Sequence, residues 1–405
     1  MAALKYWVWL CTLPGLTNRS RWLLLDHFQS PEDIYYAAPE ELRLTEGLTA
    51  AQLSALEDKS LRHSQEILEE CAEKDIFLLT AQDAAYPFRL RNIYDAPVLL
   101  YGRGAMPLFD DEAAIAVVGT RKCSPYGRHM AEELGYQLGR QGAIVVSGLA
   151  KGIDSAAQSG ALRGGGFTAG VLGCGVDVVY PESSRRLYED VAATGVLLSE
   201  YPPGTPPQGS HFPVRNRIIS GLSLATVVVE APLRSGALIT AGTALEQGRD
   251  VFAVPGPIDV PDSAGCNRLI QEGAGLVTDA WDILSEYQSQ FPHRLHSDPA
   301  HLPEVLEMPD KEPEAPAVPL KEKPTLPVLD LAENREGLTD DQMRLLRILD
   351  TDEGKLTDDA AEEAEIPIRR VLSALTMLEI DGYVRQHSAR RFVRTVELKD
   401  TEKEG

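Results

Sequence analysis

Cysteine is scarce in this sequence, and no two cysteines lie close together. The five of them stand at positions 11, 71, 123, 174 and 266. This spacing argues against a zinc site and against the disulfide framework of a small secreted domain. Long apolar runs are missing too, since the run 5–13 is too short to span a bilayer and lacks a small-residue cleavage site. The sequence therefore predicts a cytoplasmic protein with no membrane partner.

Motifs of nucleotide-dependent and catalytic proteins are also absent. The chain has no Gly-x-x-x-x-Gly-Lys-[Ser/Thr], and Gly119 is not part of a Gly-x-Gly-x-x-Gly fingerprint. No histidine stands beside a nucleophile, and no metal-ligand cluster or paired-carboxylate motif occurs. Four carboxylates lie near predicted strand ends: Asp154, Asp177, Glu200 and Glu230. Acid–base chemistry, helix capping and salt bridges explain them equally well, so we predict no catalytic residue, no metal and no cofactor.

The overall charge is strongly acidic, but the acidity is unevenly distributed. A formal net charge of -22 argues against nucleic-acid binding, because neutralising phosphates normally requires a positive field. Between residues 113 and 287, however, 13 Lys and Arg face 17 Asp and Glu. Most of the acidity therefore lies in the flanks, and the central region remains a candidate for binding an anion.

The N-terminal region, residues 1–75, has the pattern of a small helical module. Pro14, Pro31, Pro39 and Gly47 break its apolar segments into short pieces. The turns at 13–16 and 45–48 resemble those of helix-hairpin-helix or sterile-alpha-motif-like units. A structural cap with no ligand is an equally good interpretation of this module.

The central region, residues 76–287, has the pattern of an α/β domain. Apolar runs rich in β-branched residues at 115–118, 143–146, 169–172, 225–229 and 251–254 alternate with helical segments. Such runs are typical of strands buried on both faces of a parallel sheet. One intervening helix is predicted over 125–140, with Ser124 as its N-cap and Pro125 at its first position. We expect a doubly wound parallel sheet.

The C-terminal third divides into two regions of different composition. Residues 288–336 are rich in proline and charge and are predicted to be a disordered linker. Residues 337–398 contain three amphipathic helical segments followed by a hairpin pattern, which suggests a winged helix. The segment 368–375 could be a recognition helix for duplex DNA, but the acidic second helix favours a protein-interaction or weak DNA-contact module.

Cationic residues and glycines converge on one predicted edge of the central sheet. In doubly wound sheets, ligands bind outside the carboxyl ends of the strands, where backbone amides and helix N-termini approach an anion. Gly148, Gly152 and Gly236 would supply backbone donors there. The cations on these loops and helix starts are Arg121, Lys151, Arg215 and Arg217. The sequence thus predicts a basic, glycine-lined groove suited to a phosphate backbone.

The segment 211–217 contributes an aromatic residue and two of these arginines. Phe212 could stack on a base or belong to the core, and His211 is explained by loop packing by default. Residues two apart diverge by about 200° on a helix, so only Arg215 or Arg217 would then face a ligand. The other would brace the loop against a carboxylate such as Glu200 or Glu230, and the sequence does not say which arginine has which role.

Seven stretches, taken together and in this order, resemble the DNA-processing protein family DprA (Smf). The likeness spans roughly residues 80–287. The stretches are Val118-Gly-Thr-Arg121, Ser147-Gly-Leu-Ala-Lys-Gly-Ile-Asp154, Gly173-Cys-Gly-Val-Asp-Val-Val-Tyr-Pro181, Ser199-Glu-Tyr-Pro-Pro-Gly204, Phe212-Pro-Val-Arg-Asn-Arg217, Ser235-Gly-Ala-Leu-Ile-Thr240 and Val254-Pro-Gly256.

The resemblance implies a single-stranded DNA-binding protein of bacteria with an extended Rossmann domain and no catalytic activity. Members of this family protect incoming strands and load the RecA recombinase onto them during natural transformation. They also pair through their Rossmann domains, which implies a homodimer with two grooves side by side. Family positions and the groove residues together give the predicted DNA-binding set: Gly119, Thr120, Arg121, Ser147, Gly148, Lys151, Gly152, Phe212, Arg215, Asn216, Arg217, Ser235 and Gly236.

Two departures from the family pattern accompany this likeness. Relatives often have asparagine shortly after the Tyr-Pro pair, where this chain has Glu182-Ser-Ser184. They often have a basic residue just before Phe-Pro, where this chain has Gln208-Gly-Ser210. The second departure would remove one phosphate contact, so we expect weaker or more salt-sensitive binding.

An alternative from another class is a nucleotide-processing enzyme of the lysine-decarboxylase-like Rossmann group. Those enzymes carry Pro-Gly-Gly-x-Gly-Thr followed by a catalytic glutamate. The corresponding stretch here, 230–240, lacks the double glycine. The mediator function is therefore the favoured interpretation of the sequence.

Overall fold

The computed structural model describes residues 3–297, 327–331, 337–351, 354–388 and 391–399. The chain divides into two compact units, Met1–Val305 and Leu306–Gly405. Each unit has its own apolar core. In the described part of the chain, no helix combines the length and the apolar character that a membrane crossing requires.

The first unit begins with short helices, as the sequence predicts. Over the described residues 3–75 they are α1 (Leu4–Thr12), α2 (Asn18–Phe28), α3 (Pro31–Tyr36), α4 (Pro39–Leu42), α5 (Ala50–Ala55) and α6 (Arg62–Glu73). Thr17 caps α2 by accepting a hydrogen bond from the Ser20 amide, and Ser30 caps α3 in the same way. Positive φ angles at Gly15 (+77°) and Gly47 (+90°) form the two predicted turns.

These helices pack onto the rest of the unit rather than standing apart from it. The Trp22 indole donates a hydrogen bond to the Ala96 carbonyl oxygen at 2.9 Å, and Asn18 donates to a Glu200 carboxylate oxygen at 2.6 Å. Trp9, Leu24 and buried residues of the sheet share one apolar core. The predicted module 1–75 is therefore one layer of the first unit.

The centre of the first unit is a nine-stranded sheet, all of it within the fully described stretch 3–297. The strands are β1 (Phe77–Thr80), β2 (Leu99–Gly104), β3 (Ala114–Val118), β4 (Ile144–Ser147), β5 (Thr168–Leu172), β6 (Val196–Ser199), β7 (Ala225–Val228), β8 (Asp250–Ala253) and β9 (Gly275–Leu276). Their order is β1-β2-β6-β5-β4-β3-β7-β8-β9. Strands β3 to β9 pair in parallel, and β2 is antiparallel to β1 and β6.

The helices between these strands complete a doubly wound α/β architecture. They are α7 (Phe88–Arg91), α8 (Pro125–Arg140), α9 (Ile153–Arg163), α10 (Arg185–Thr194), α11 (His211–Leu222), α12 (Gly236–Glu246), α13 (Ala264–Gln271) and α14 (Trp281–Leu284). Helix α8 has the predicted bounds, and the Ser124 side chain caps it by accepting from the Gly127 amide. The predicted fold is confirmed, with strands β1 and β2 added beside β6 and only β2 running antiparallel to the other strands.

The C-terminal end of this unit extends further than the predicted domain boundary. Leu295 is buried, and an Arg294 guanidinium nitrogen lies 2.8 Å from a Glu112 carboxylate oxygen. Residues 288–297, assigned by sequence to the linker, therefore pack on the first unit because an apolar side chain and an ion pair hold them. Most of the rest of the predicted linker, 298–326 and 332–336, lies outside the described residues.

The described parts of the second unit form a winged-helix arrangement. Its elements are β10 (Val328–Asp330), α15 (Asp340–Ile348), β11 (Lys355–Leu356), α16 (Thr357–Ala364), α17 (Ile368–Ile380), β12 (Val384–Ser388), β13 (Arg391–Arg394) and β14 (Glu397–Lys399). Strand β13 lies between β11 and β12, and β10 pairs with β14. The core contains Leu345, Leu346, Val371, Leu375 and Leu378. Three helices and a small sheet match the arrangement expected from the sequence.

Candidate nucleic-acid interface

A pocket of about 560 Å³ lies where the strand order of the sheet reverses direction. From β3 the chain winds through β4, β5 and β6 on one side, and β7, β8 and β9 follow on the other. Such a switch point is the usual ligand site of a doubly wound sheet. The loops after β3, β4 and β7 and one face of α11 line the pocket. The structure therefore places a pocket at the predicted edge.

Helix α11 lines this pocket with Pro213 and with four side chains of one helix face: Phe212, Arg215, Asn216 and Ile219. Their spacing of i, i+3, i+4 and i+7 puts them on one face of the helix. Arg217 is about 200° away from Arg215 and points elsewhere. The helical geometry thus selects Arg215 of the two arginines that the sequence left open.

Arg215 is a buried cation held by the ends of two strands, with only 4% of its surface exposed. Its Nη1 donates to the carbonyl oxygens of Gly148, at 2.9 Å, and Val171. Its Nε is buried and has no hydrogen-bond partner among the described residues. Burial lowers the pKa of the guanidinium to about 10, so Arg215 stays charged at neutral pH.

Asp154 is a buried counter-charge beside Arg215. Burial raises the pKa of its carboxyl, while the Arg215 charge opposes that rise. Its Oδ2 accepts a hydrogen bond from the Gly148 amide at 3.2 Å. Asp154 thus stabilises the loop after β4 and the buried arginine. The pocket remains cationic, because the arginines in its lining outnumber this one carboxylate.

Aromatic and cationic side chains are layered at the mouth of the pocket. The Arg121 guanidinium carbon lies 5.0 Å from the Phe212 ring centroid, which is a cation–π distance. The Tyr180 ring stacks on Phe212 at 5.5 Å with an interplanar angle of 30°. Tyr180 is 41% exposed, so its ring has free surface on which a ligand could stack. Phe212 is packed between its neighbours and has less free ring surface.

Arg217 forms a structural ion-pair network instead of lining the pocket. Its Nη2 lies 2.7 Å from a Glu200 oxygen, and its Nε lies 2.9 Å from an Asp95 oxygen. Glu200 also accepts a hydrogen bond from Asn18 of helix α2. Of the two carboxylates that the sequence left open for this bracing, Glu200 pairs with Arg217, whereas Glu230 accepts hydrogen bonds from Ser124.

The other predicted binding residues divide into two groups. Gly119, Thr120, Arg121, Ser235 and Gly236 line the pocket together with the α11 face. The lining, which lies entirely in the described stretch 3–297, does not include Ser147, Gly148, Lys151, Gly152 or Arg217.

Three of the residues that do not line the pocket lie behind it or on its flank. Ser147 is fully buried and donates its hydroxyl to the Val117 carbonyl oxygen at 2.6 Å. Lys151 is exposed on the turn before α9. Gly148 lies beneath the Arg215 guanidinium. Ser147 and Gly148 therefore shape the pocket from behind its wall.

The pocket lining also includes residues that the sequence reasoning did not single out, among them Tyr180, Arg234 and Ile239. Arg234 lies in the loop between β7 and α12, next to Ser235, which caps α12. Its position in a loop that follows a buried strand could have indicated a pocket residue. The position of Tyr180 depends on a contact with Phe212, 32 residues away in the numbering, which no local pattern indicates.

The carboxylates near the strand ends have structural partners. Glu230 accepts hydrogen bonds from the Ser124 amide, at 2.7 Å, and the Ser124 hydroxyl, at 2.5 Å, so it occupies the anion position at the start of α8. Asp177 lies 2.6 Å from the Lys74 ammonium and accepts from the Gly204 amide. His211 stacks on Tyr201 with ring centroids 4.0 Å apart, which agrees with the loop-packing interpretation.

The fold and the pocket define a Rossmann-type α/β protein with a cationic, aromatic pocket at its switch point, followed by a winged helix. The family model for DNA recombination-mediator protein A matches residues 77–288. The model for the DprA winged helix domain matches residues 330–390. This chain therefore belongs to the DNA recombination-mediator protein A family, also called DprA or Smf.

Individual relatives agree with this assignment. The chain is 49% identical over 206 residues to the DNA processing protein DprA of Streptococcus pneumoniae, covering 51% of this chain and 72% of the relative. It is 37% identical over 308 residues to protein Smf of Escherichia coli, covering 76% and 74% respectively. The X-ray structure of the Streptococcus pneumoniae protein superposes with a TM-score of 0.63 at 38% identity, covering 70% of this chain and 97% of that one. These likenesses do not favour the nucleotide-processing alternative.

Proposed function

We propose that this protein binds single-stranded DNA at the switch-point pocket, without sequence preference, and presents it to the RecA recombinase. The observation that carries the proposal is the group of Arg121, Phe212 and Tyr180 at the mouth of one pocket, with Arg215 in its wall. Proteins that bind single strands without sequence preference combine cations that contact the backbone with aromatic rings on which bases stack. This group supplies both components.

The shape of the site favours a single strand over a duplex. A base can stack on Tyr180 only when it is unstacked from its own neighbours, which a single strand permits at little cost. Arg215 lies at the wall of a recess of about 560 Å³, which suits one or two nucleotides and not the width of a duplex. Contacts to phosphate and ring faces carry no base identity, so we expect sequence tolerance.

The finer parts of the proposal rest on membership of the family. We propose a homodimer through the Rossmann unit, which would present two pockets to one strand. We also propose protection of incoming strands and RecA loading in the cytoplasm during natural transformation. No catalysis is proposed, because Asp177, Glu200 and Glu230 are committed to the structural contacts described above.

The direct test is fluorescence anisotropy with labelled single-stranded and duplex oligonucleotides of equal length, titrated across a salt series. We expect a clear preference for the single strand and an affinity that falls as salt rises. The double variant Arg121→Ala/Arg215→Ala should weaken binding by more than about tenfold. Arg163→Ala is the matched control, because Arg163 is exposed at the far end of α9 and pairs with Glu132.

Unchanged affinity in the double variant would overturn the assignment of the pocket. Absence of binding to either oligonucleotide by the folded protein would overturn the single-strand proposal itself. RecA presentation is tested separately, by following RecA filament assembly on single strands with and without the protein. Binding without any acceleration of assembly would retain the site and remove the RecA role.

A further inference from the structure

The exposed face of helix α17 in the winged helix is apolar. Ile368, Leu372 and Ile380 are 40%, 48% and 71% exposed, and Met377 is 48% exposed. Ile368, Leu372, Thr376 and Ile380 follow one another at intervals of four residues and form one row along the helix, with Met377 beside Ile380. Contiguous exposed apolar surface of this kind marks an interaction site more often than a solvent face.

Thr376 in this row and Arg370 beside it are engaged within the unit. The Thr376 hydroxyl donates to the Leu372 carbonyl oxygen at 2.8 Å, so it is bound to the helix's own backbone. The Arg370 guanidinium donates two hydrogen bonds to Asp341, at 2.7 and 2.8 Å. A helix that reads duplex DNA needs free donors and cations on this face, and here two of the candidates are committed elsewhere.

The neighbouring helix α16, which packs against α17, carries exposed negative charge. Asp358, Asp359 and Glu362 are all exposed on it, and Glu363 pairs with Lys355. In a helix-turn-helix reader, the helix before the recognition helix crosses the phosphate backbone. Exposed carboxylates at that place would repel phosphates, so helix α16 is poorly suited to a phosphate backbone and well suited to a basic partner.

We propose that the apolar row of α17 and the carboxylates of α16 form a docking surface for a basic amphipathic helix of a partner protein. The apolar face of that helix would cover Leu372 and Ile380, and its lysines or arginines would pair with the α16 carboxylates. This is the helix-in-groove type of recognition, with charge complementarity at the rim. A second copy of this chain fits less well, since it would bring one acidic helix towards another.

The test uses the full chain and a labelled synthetic peptide of about 18 residues, five turns of helix, with leucines on one face and lysines on the other. A scrambled peptide of the same composition is the control for charge alone. We expect the amphipathic peptide to bind at least about tenfold more tightly. Leu372→Asp/Ile380→Asp should abolish that advantage, whereas Ile258→Asp, a control at a residue that is 97% exposed in the first unit, should not.

A second variant tests the charge component. Asp358→Lys/Glu362→Lys should weaken binding of the leucine–lysine peptide. The same variant should bind a leucine–glutamate peptide of the same pattern. Equal affinity for the amphipathic and scrambled peptides would overturn the proposal, as would unchanged binding by Leu372→Asp/Ile380→Asp. Two other results for Leu372→Asp/Ile380→Asp would also overturn the proposal. Loss of duplex-DNA binding would mean that the α17 face contacts DNA. A change in sedimentation would mean that the face contacts a second copy of the chain. Circular dichroism checks that each variant is folded.

Discussion

The Arg215 guanidinium lies directly over Gly148. Its Nη1 donates to the Gly148 carbonyl oxygen at 2.9 Å, and a Cβ placed on Gly148 would come within 2.2 Å of that nitrogen. Glycine at this position is therefore a condition for the buried arginine. The loop after β4 and helix α11 are matched to each other at this one contact.

The first prediction follows from this match. Gly148→Ala should push the guanidinium off the carbonyls of Gly148 and Val171, reduce the free energy of unfolding by about 1–3 kcal/mol and weaken single-strand binding. Denaturant unfolding and anisotropy measure the two effects. Gly242→Ala is the control, because its Cβ would meet nothing within 4 Å and it lies in helix α12. Gly148→Ala with full stability and full binding would contradict the proposed role of the contact.

The second prediction concerns stacking by Tyr180. Removing its ring with Tyr180→Ala should cost about 1–3 kcal/mol of binding free energy for single-stranded DNA, which is roughly a fivefold to 150-fold loss of affinity. Tyr180→Phe keeps the ring and should bind nearly as well as the unaltered protein. Anisotropy at constant salt is the measurement, with Tyr94→Ala as control because Tyr94 is also highly exposed. Equal affinities for Tyr180→Ala and Tyr180→Phe would exclude stacking at this position.

The third prediction separates structural from binding arginines. Arg217→Met should lower the free energy of unfolding by about 3 kcal/mol, because Glu200 is left without its guanidinium partner in a largely buried site. The folded fraction should still bind single strands, since Arg217 does not line the pocket. Adding Glu200→Gln should recover part of the stability. A large loss of affinity in the folded single variant, without loss of stability, would reverse this division of roles.

The fourth prediction concerns pH. Burial raises the folded-state pKa of Asp154 above its unfolded value of about 3.9, so the folded protein holds this proton more tightly. The contribution of Asp154 to stability is therefore fully present below the unfolded pKa and is lost as pH rises through the folded pKa. Unfolding free energies of the unaltered protein and Asp154→Asn, measured at successive pH values upward from 3.9, should show the unaltered protein losing stability relative to the variant. Parallel curves would refute the raised pKa.

Local sequence determines the parts of the fold that sequence reasoning obtained correctly. The start of α8 follows from Ser124 and Pro125, which specify a helix N-terminus without help from other elements. Strand β6, Val196–Ser199, was missed because a short run following a helix resembles the end of that helix. Strands β1 and β2 were also missed. They are held in the sheet by pairing with each other and with β6, which is distant in the sequence, and local patterns do not show such pairing.

The site shows the same division between local and non-local information. The pocket's position follows from the order of strands and loops, and the pocket face of α11 follows from helical spacing. The burial of Ser147 could not be predicted in this way. The direction of its side chain depends on the register of β4 with β3, where the Ser147 hydroxyl meets the Val117 carbonyl oxygen. Tyr180 reaches Phe212 only through the folded path of the loop after β5.

The carboxylate of Glu230 at the start of α8 affects which anions can compete for this edge of the sheet. In related folds a free nucleotide seats its phosphate at such a helix start, where it gains the amides and the dipole. Here that place already has an internal counter-ion bound to Ser124. A mononucleotide phosphate would have to displace Glu230 from this position and leave its carboxylate unpaired in the interior. A DNA strand that contacts Arg121 on the β3 loop would not have to displace Glu230. We therefore expect this crevice to bind free mononucleotides poorly, while Arg121 on the β3 loop remains available to the proposed single strand.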